Sequence, residues 1–118
     1  MAGNNILCNL IVLRSSDLGR ARTFYQALGH SFVLHAHGHG PKHLASESAG
    51  QVFEIYPLSD TAMPTTSTRI GFRVPSVDTT YTAALAAGGT SVSAPDDSEW
   101  GRRAVVSDPD GHRVELTA

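Results

Sequence analysis

The sequence is poor in cysteine and lysine and has no long apolar run. Its one cysteine, Cys8, excludes an intrachain disulfide and a zinc site built on several thiolates, and it is typical of a protein from the reducing cytoplasm. With 9 basic and 11 acidic residues the net charge is −2, so we do not expect a nucleic acid as partner. The apolar run at 10–13 is too short to cross a bilayer, so no membrane partner is expected.

What the sequence does contain is enough apolar surface for one core. Its 118 residues predict a single domain over 1–118, and 41% of them are hydrophobic. Of the basic residues only Lys42 is a lysine, and the others are arginines. Arginine is the better residue where a carboxylate or a phosphate is held by two parallel hydrogen bonds.

The sequence repeats itself once, in four landmarks that recur in the same order. Ile-Val-Leu-Arg at 11–14 is matched by Ile-Gly-Phe-Arg at 70–73, and Phe-Glu-Ile at 53–55 by Val-Glu-Leu at 114–116. Between these landmarks, each half has an aspartate that begins a helical pattern and a glycine stop that ends it. These are Asp17 with Gly29, and Asp78 with the glycines at 88–89. The repeat predicts an α+β fold of two tandem βαβββ modules, at about 6–57 and 67–118.

Within each half, the spacing of apolar residues separates the helix from the strands. Four apolar residues recur on one helical face in each copy, and the short apolar runs around them favour strands. The run Asp-Pro-Asp-Gly at 108–111 is typical of a turn and joins the last two strands. The helical faces are Ala21, Phe24, Tyr25 and Leu28 in the first half, and Val77, Tyr81, Ala84 and Leu85 in the second.

Charged side chains alternate with apolar ones in the first and last strand of each half. Because strand side chains alternate between faces, the apolar set faces the helices and the charged set faces the opposite side. If these strands curve into a cup, three guanidinium groups and two carboxylates converge inside it. The alternative is an open, solvated face with weak surface ion pairs. The charged set is Arg14, Glu54, Arg69, Arg73 and Glu115.

Two segments resemble the vicinal oxygen chelate superfamily, which contains glyoxalase I, the bleomycin-resistance proteins and the extradiol dioxygenases. The first is Val-Leu-Arg-Ser-Ser-Asp-Leu at 12–18, with Phe-Tyr at 24–25 and Leu-Gly at 28–29. The second is the closing run at 100–116, which contains Asp-Pro-Asp-Gly-His-Arg-Val-Glu-Leu. The resemblance implies a cupped eight-stranded mixed sheet with helices on its outer face. It also implies a homodimer with the cups near the subunit interface.

The resemblance also implies where metal ligands lie in the metal-dependent members. The last-strand positions correspond to Glu54 and Glu115, and the first-strand positions to Leu10 and Arg69. Neither leucine nor a cationic guanidinium ligates a metal. We therefore expect no metal and no other cofactor. Arg69 is expected to replace the metal's charge by pairing with Glu54, Glu115 or both.

Three further side chains are candidates for contacting a ligand. Arg14 matches a pocket arginine of the glyoxalases, and an internal salt bridge is the alternative. Trp100 either lines the mouth of the cup, where it stacks on a flat ligand, or packs in the core. Tyr56 follows Glu54 on the same face and hydrogen-bonds either a ligand or Glu54 itself. Cys8 is expected to be buried.

The histidines are concentrated in one segment, His-Ala-His-Gly-His-Gly-Pro-Lys-His at 35–43. A solvated hairpin tip is favoured there over a metal site, because two glycines and a proline keep the segment irregular. His112 lies in the closing turn and is interpreted as structural.

The leading functional prediction is a metal-independent protein that binds or sequesters a small molecule in the cup. The alternative is a lyase, isomerase or dioxygenase-like enzyme that uses Glu54 and Glu115 with a divalent metal, or Glu115 as the catalytic base. A third possibility is a small dimeric partner module with no ligand.

Overall fold

The structure is a computed structural model that describes residues 5–36 and 38–118. It confirms the α+β class and the two βαβββ modules. The first module consists of β1 (Leu10–Ser15), α1 (Leu18–Leu28), β2 (Val33–His35), β3 (His43–Ser48) and β4 (Gln51–Pro57). The second consists of β5 (Arg69–Arg73), α2 (Val77–Ala86), β6 (Thr90–Ser98), β7 (Gly101–Ser107) and β8 (Arg113–Thr117).

The two modules have the same sheet topology. The strand order is β1-β4-β3-β2 in the first and β5-β8-β7-β6 in the second. In each, the first and last strands pair in parallel and the other pairs are antiparallel. Within the described ranges no strand pairing joins the two sheets, so the eight strands form two four-stranded sheets. Strands β1 and β5 are therefore edge strands.

Helix α1 begins and ends where its sequence signals predict. The Asp17 side chain accepts a hydrogen bond from the backbone N–H of Arg20, and this bond lowers the pKa of the Asp17 carboxyl. The helix ends at Gly29, whose φ of 118° suits glycine. The four apolar residues of its predicted face are all buried. In α2 the N-cap is Ser76, whose hydroxyl accepts a hydrogen bond from the backbone N–H of Thr79, and Asp78 lies in the first turn.

Both modules contribute to one hydrophobic core. Helices α1 and α2 contact each other, and buried residues from all four central strands join the same cluster. The modules pack tightly at Gly89, which lies against Phe24 of α1. A side chain there would place its Cβ 2.6 Å from Cε1 of Phe24, which is well inside van der Waals contact. Glycine is therefore required at this position for the modules to meet.

The turn between β7 and β8 links the second module to the first. Oδ1 of Asp108 accepts three backbone N–H groups of its own turn, and Oδ2 contacts the Tyr25 hydroxyl at 2.7 Å and Nδ1 of His112 at 2.8 Å. Burial alone raises the pKa of the Asp108 carboxyl, but the hydrogen bonds from His112 and Tyr25 outweigh it and lower the pKa. Burial and the neighbouring carboxylate raise the pKa of the Tyr25 hydroxyl. Asp110 accepts hydrogen bonds from Ser15 and Ser16 of the first module.

Several sequence predictions are corrected at the ends of elements. The first strand begins at Leu10, later than the predicted start of the first module at about residue 6, and β6 runs from Thr90 to Ser98. Cys8 is exposed, because it precedes β1 instead of packing within it. His112 is buried and hydrogen-bonded, as its interpretation as a structural residue requires. None of the described helices has the length and apolarity that a membrane span requires.

Candidate ligand-binding site

The two modules place their closing-strand acids at equivalent positions. Glu54 lies opposite Val12 of β1, and Glu115 lies opposite Gly71 of β5. In each module, the first-strand position that the resemblance assigns to a metal ligand is two residues earlier, at Leu10 and at Arg69. The sequence repeat is therefore also a repeat of site geometry.

In the second module, Glu115 is held between two arginines. Arg103 of β7 contacts Oε1 of Glu115 at 2.7 Å, and Nη2 of Arg69 contacts the same oxygen at 3.1 Å. The hydrogen bond from Arg103 is the main cause that lowers the pKa of the Glu115 carboxyl, and Arg69 lowers it further. Glu115 is thus ionised at neutral pH and neutralised by guanidinium groups.

Sequence reasoning placed Arg69 in this site but missed Arg103. Strand β7 pairs with β8, and Arg103 lies opposite Thr117, two residues from Glu115 on the same face. The alternation of side chains along the sequence Gly-Arg-Arg-Ala-Val-Val-Ser was the available signal. It did not decide between Arg102 and Arg103, because the register of β7 against β8 is not readable from one sequence.

Trp100 lies beside the Glu115 site and is not part of the core. It is 82% exposed, which decides between the two sequence interpretations in favour of an accessible ring. A cavity of about 370 Å³ lies between this ring and the ion pairs. Its lining residues are Ser98, Trp100, Arg103, Glu115 and Thr117. This cavity combines a flat apolar surface with charged hydrogen-bonding groups, as small-molecule sites do.

In the first module, the structure pairs Glu54 with a histidine rather than with an arginine. Nε2 of His43 lies 3.5 Å from Oε2 of Glu54, and the imidazole stacks on the Tyr56 ring with centroids 4.1 Å apart. On Tyr56 lies the guanidinium of Arg14, 4.9 Å from the ring centroid. Arg14 also donates a hydrogen bond to the carbonyl of Pro57. In the described part of the chain, Arg69 therefore bonds Glu115 and not Glu54.

Arg73, the remaining predicted arginine, is exposed on β5. It lies at the edge of a cleft of about 700 Å³ between the modules. The cleft also contains His30, whose pKa is lowered by burial and whose Nδ1 lies 3.0 Å from the Ser46 hydroxyl. Seven predicted site residues thus divide between two sheet faces. Arg14, Glu54 and Tyr56 lie on the first, and Arg69, Arg73, Trp100 and Glu115 on or beside the second.

The donor set does not fit the metal of the superfamily. Leu10 offers no donor atom, and Arg69 puts a positive charge in contact with Glu115 where a cation would bind. A second group of possible ligands, Asp108, Asp110 and His112, has its ligand atoms within 4.8 Å of one another. Asp108 already hydrogen-bonds Tyr25 and the backbone of its own turn. Asp110 hydrogen-bonds the serines of the first module, and His112 hydrogen-bonds Thr65. We therefore interpret the group as structural. His37 lies outside the described residues.

Comparison with known proteins connects this geometry to a family. The model of the Glyoxalase/Bleomycin resistance protein/Dioxygenase superfamily matches residues 8–116. The chain belongs to this superfamily. The match covers nearly all of the sequence and confirms the resemblance seen in the opening and closing segments. No curated protein matches the chain.

Several solved structures have the same fold. The hypothetical protein SA1046 from S. aureus superposes with a TM-score of 0.76 at 22% identity, over 97% of this chain and 94% of that one. A glyoxalase/bleomycin resistance protein from Streptomyces sp. CB03234 is 28% identical, with a TM-score of 0.67, over 95% of this chain and 100% of that one. TnmS3, an antibiotic binding protein from the same Streptomyces, is 25% identical, with a TM-score of 0.71, over 99% and 97%.

Proposed function

We propose that this protein binds a small organic molecule on the Glu115 face of its second module, without the metal site of the superfamily's enzymes. The observation that carries the proposal is the pairing of Arg69 and Arg103 with Glu115, next to an exposed tryptophan. Arg69 occupies a ligand position and supplies the positive charge that a metal supplies in the enzymes. The likeness to TnmS3, which is an antibiotic binding protein, supports a binding role.

The same contacts disfavour the catalytic alternative for Glu115. A carboxylate that acts as a general base works best with a pKa raised toward neutrality. The hydrogen bonds from Arg103 and Arg69 lower the pKa of Glu115, which makes it a weaker base. Leu10 offers no donor atom, and the side chains that contact Glu115 are guanidinium groups rather than the imidazoles that Ni²⁺, Fe²⁺ or Zn²⁺ usually need.

We further propose that the protein is a homodimer and that each cup forms between two copies. Strands β1 and β5 are both edge strands, and Leu10 and Val12 on β1 are 52% and 37% exposed. Pairing β1 of one copy with β5 of another would cover these side chains. It would also add Arg14, Glu54 and Tyr56 to the Glu115 face. In this arrangement the modules at 6–57 and 67–118 act together as one domain. The exposed free thiol of Cys8 supports a reducing compartment, the cytoplasm, for this protein.

The single tryptophan makes the proposal directly testable. Because Trp100 is the only tryptophan and is exposed beside the cavity, its fluorescence reports a ligand that binds there. We expect at least one compound from a panel of aromatic antibiotics and metabolites to shift this fluorescence in a saturable way. We expect the same affinity with and without EDTA. Trp100→Leu should abolish the signal and weaken binding measured by calorimetry, whereas Met63→Leu, at an exposed site between the modules, should not.

Two results would contradict the proposal. One is the absence of any saturable binding across the panel, which would favour a partner module without a ligand. The other is stoichiometric metal in untagged protein grown with Ni, Fe, Zn and Mn, lost on Glu115→Ala. That result would show that Arg69 does not stand in for a metal.

A further inference from the structure

The sheet face around Glu115 carries more arginine than its own carboxylates neutralise. We call the four arginines on this face, Arg69, Arg73, Arg103 and Arg113, the arginine face. Arg69 and Arg73 lie on β5 on either side of Gly71, and Arg113 lies on β8 two residues before Glu115. Arg103 comes from β7. Four arginines therefore lie on the strand face that carries Glu115, and two of them contact it.

The register of β5 against β8 places two of these arginines where they destabilise the fold. Arg69 lies directly opposite Arg113 in the parallel pair of β5 and β8. Like charges at directly opposite positions destabilise a sheet. A structural role does not explain why two arginines are placed side by side.

The charges on the face do not cancel. Its carboxylates are Glu115 and, on β6 opposite Arg103, Asp96. Four positive and two negative groups leave an excess of two positive charges on this face. The whole chain has a net charge of −2, so the excess is local and does not reflect a basic protein. Such a local excess attracts anions to one face.

Two members of the arginine face have no partner to neutralise them. Within residues 5–36 and 38–118, no ion pair or hydrogen bond engages the side chain of Arg73 or Arg113. Arg20 and Arg102, by contrast, are paired, since Arg20 contacts Asp17 and Arg102 contacts Asp78. Gly71 lies between Arg69 and Arg73, where the absence of a side chain leaves room next to Glu115.

We infer that the ligand of this protein carries at least two anionic groups, carboxylates or phosphates, which the arginine face binds beside Trp100. This inference rests on the proposed function and adds the chemical class of the ligand. One anionic group fits Arg69 and Arg113, which lie side by side. A second fits Arg73 and Arg103, which flank Thr117. Guanidinium groups bind both carboxylates and phosphates by two parallel hydrogen bonds.

Calorimetric titration of the full chain with three probes tests the inference. The probes are propane-1,2,3-tricarboxylate, inorganic pyrophosphate and acetate, at constant ionic strength and neutral pH. We expect one or both multivalent anions to bind and acetate not to bind at the same concentration. The stronger of the two identifies carboxylate or phosphate as the preferred group. The affinity should fall as NaCl is raised, because the contacts are exposed.

Two variants remove arginines that hold nothing else in the fold. Arg73→Gln and Arg113→Gln should each weaken the multivalent anion by about tenfold, the loss expected for one charge-assisted contact. Arg20→Gln, on α1, is the matched control and should bind as the wild-type protein does. Unchanged melting temperatures will show that Arg73→Gln and Arg113→Gln are folded, since neither side chain has an internal partner.

Failure of the inference and failure of the proposed function give different results. A neutral compound that binds with Trp100 dependence, while neither multivalent anion binds, overturns the inference and leaves the proposed function standing. Equal loss of affinity in Arg20→Gln and Arg73→Gln also overturns it, because attraction would then come from overall charge. A change of molecular mass in Arg73→Gln or Arg113→Gln, with anion binding unaltered, would assign the arginine face to subunit contact instead.

Discussion

Glu115 depends on two neighbours that come from different strands. Arg69 on β5 and Arg103 on β7 converge on the same oxygen, Oε1, so strand pairing on both sides of β8 is needed to build the site. The lowered pKa of Glu115 is the chemical result of that convergence. It keeps the carboxylate charged and unsuited to taking up a proton at neutral pH.

The pH dependence of the free energy of unfolding should reveal the ionisation of Glu115. Because the pKa of Glu115 is lower in the folded than in the unfolded chain, its contribution is present above the usual glutamate range and is lost as pH falls through the folded pKa. All three side chains are partly exposed, so we expect Glu115→Gln to destabilise the protein at pH 7 by about 1 kcal/mol or less. Urea unfolding of both proteins from pH 7 to pH 3 should show this difference shrinking toward zero. Glu47→Gln, at an exposed site on β3, is the control, and a difference that grows in acid would refute the assignment.

The role of Arg69 can be tested by replacing its guanidinium with a side chain that ligates a metal. Arg69→His puts an imidazole beside Glu115 and removes the guanidinium that repels cations. Even outer-shell partners change metal affinity by about 10–100-fold, so we expect Ni²⁺ affinity to rise by at least about tenfold. Arg73→His, on the same strand but without contact to Glu115, is the matched variant. Equal Ni²⁺ affinity of the two variants, measured by calorimetry, would count against Arg69 as the ligand position.

At the scale of elements, the best-anchored segment is the turn between β7 and β8. Its Asp108 accepts the buried hydroxyl of Tyr25 on α1, and His112 in the same turn bonds Thr65 in the segment between the modules. Three elements that are distant in sequence are thereby held by side-chain hydrogen bonds. Buried bonds of this kind are costly to break because the remaining group stays unpaired.

Removing the Tyr25 hydroxyl should show how much its hydrogen bond to Asp108 contributes to the free energy of unfolding. We expect Tyr25→Phe to lower the free energy of unfolding by about 1–3 kcal/mol, since the lost hydrogen bond is to a buried charged group. Tyr81→Phe is the matched control, because the Tyr81 hydroxyl bonds Ser91 at an exposed site. Its cost should be about 0.5 kcal/mol or less. Equal losses for the two variants in chemical denaturation would mean that Asp108 does not anchor α1.

The elements were predictable where local chemistry decides them. Asp17 and Gly29 bound α1 because capping depends on residues within one turn. The strand β8 was predicted from its alternation and from the turn before it. Arg103 and His43 were missed as partners of Glu115 and Glu54, because which residues meet across strands depends on register. Alternation alone gives the face of a strand but not its neighbour.

For the molecule as a whole, the sequence predicted two modules but not how their sheets meet. The repeat identified the modules because duplication leaves matched landmarks in one chain. The single hollow expected to hold Glu54, Glu115 and Arg69 depends on β1 and β5 lying together, and in the described residues these strands are two unpaired edges. An open edge beside exposed apolar side chains is a surface on which another strand can pair.

Oligomeric state tests the role of the β1 edge. We expect the protein to sediment as a dimer, and the double substitution Leu10→Lys with Val12→Lys to give a monomer, because two charges would be buried at the interface. Val33→Lys, on the opposite edge of the same sheet, should leave the dimer intact. Sedimentation velocity at micromolar concentration distinguishes these states. A monomeric wild-type chain, or equal dissociation of both variants, would rule out pairing through β1.

The turn between β7 and β8 also makes the two modules of one chain structurally non-equivalent. Asp108 and Asp110 of the second module hold Tyr25, Ser15 and Ser16 of the first, and among residues 5–36 and 38–118 no acid of the first module makes an equivalent contact to the second. The first module therefore depends on the second for these bonds. A gene cut between residues 57 and 67 would encode a first fragment whose Tyr25 phenol has lost its acceptor.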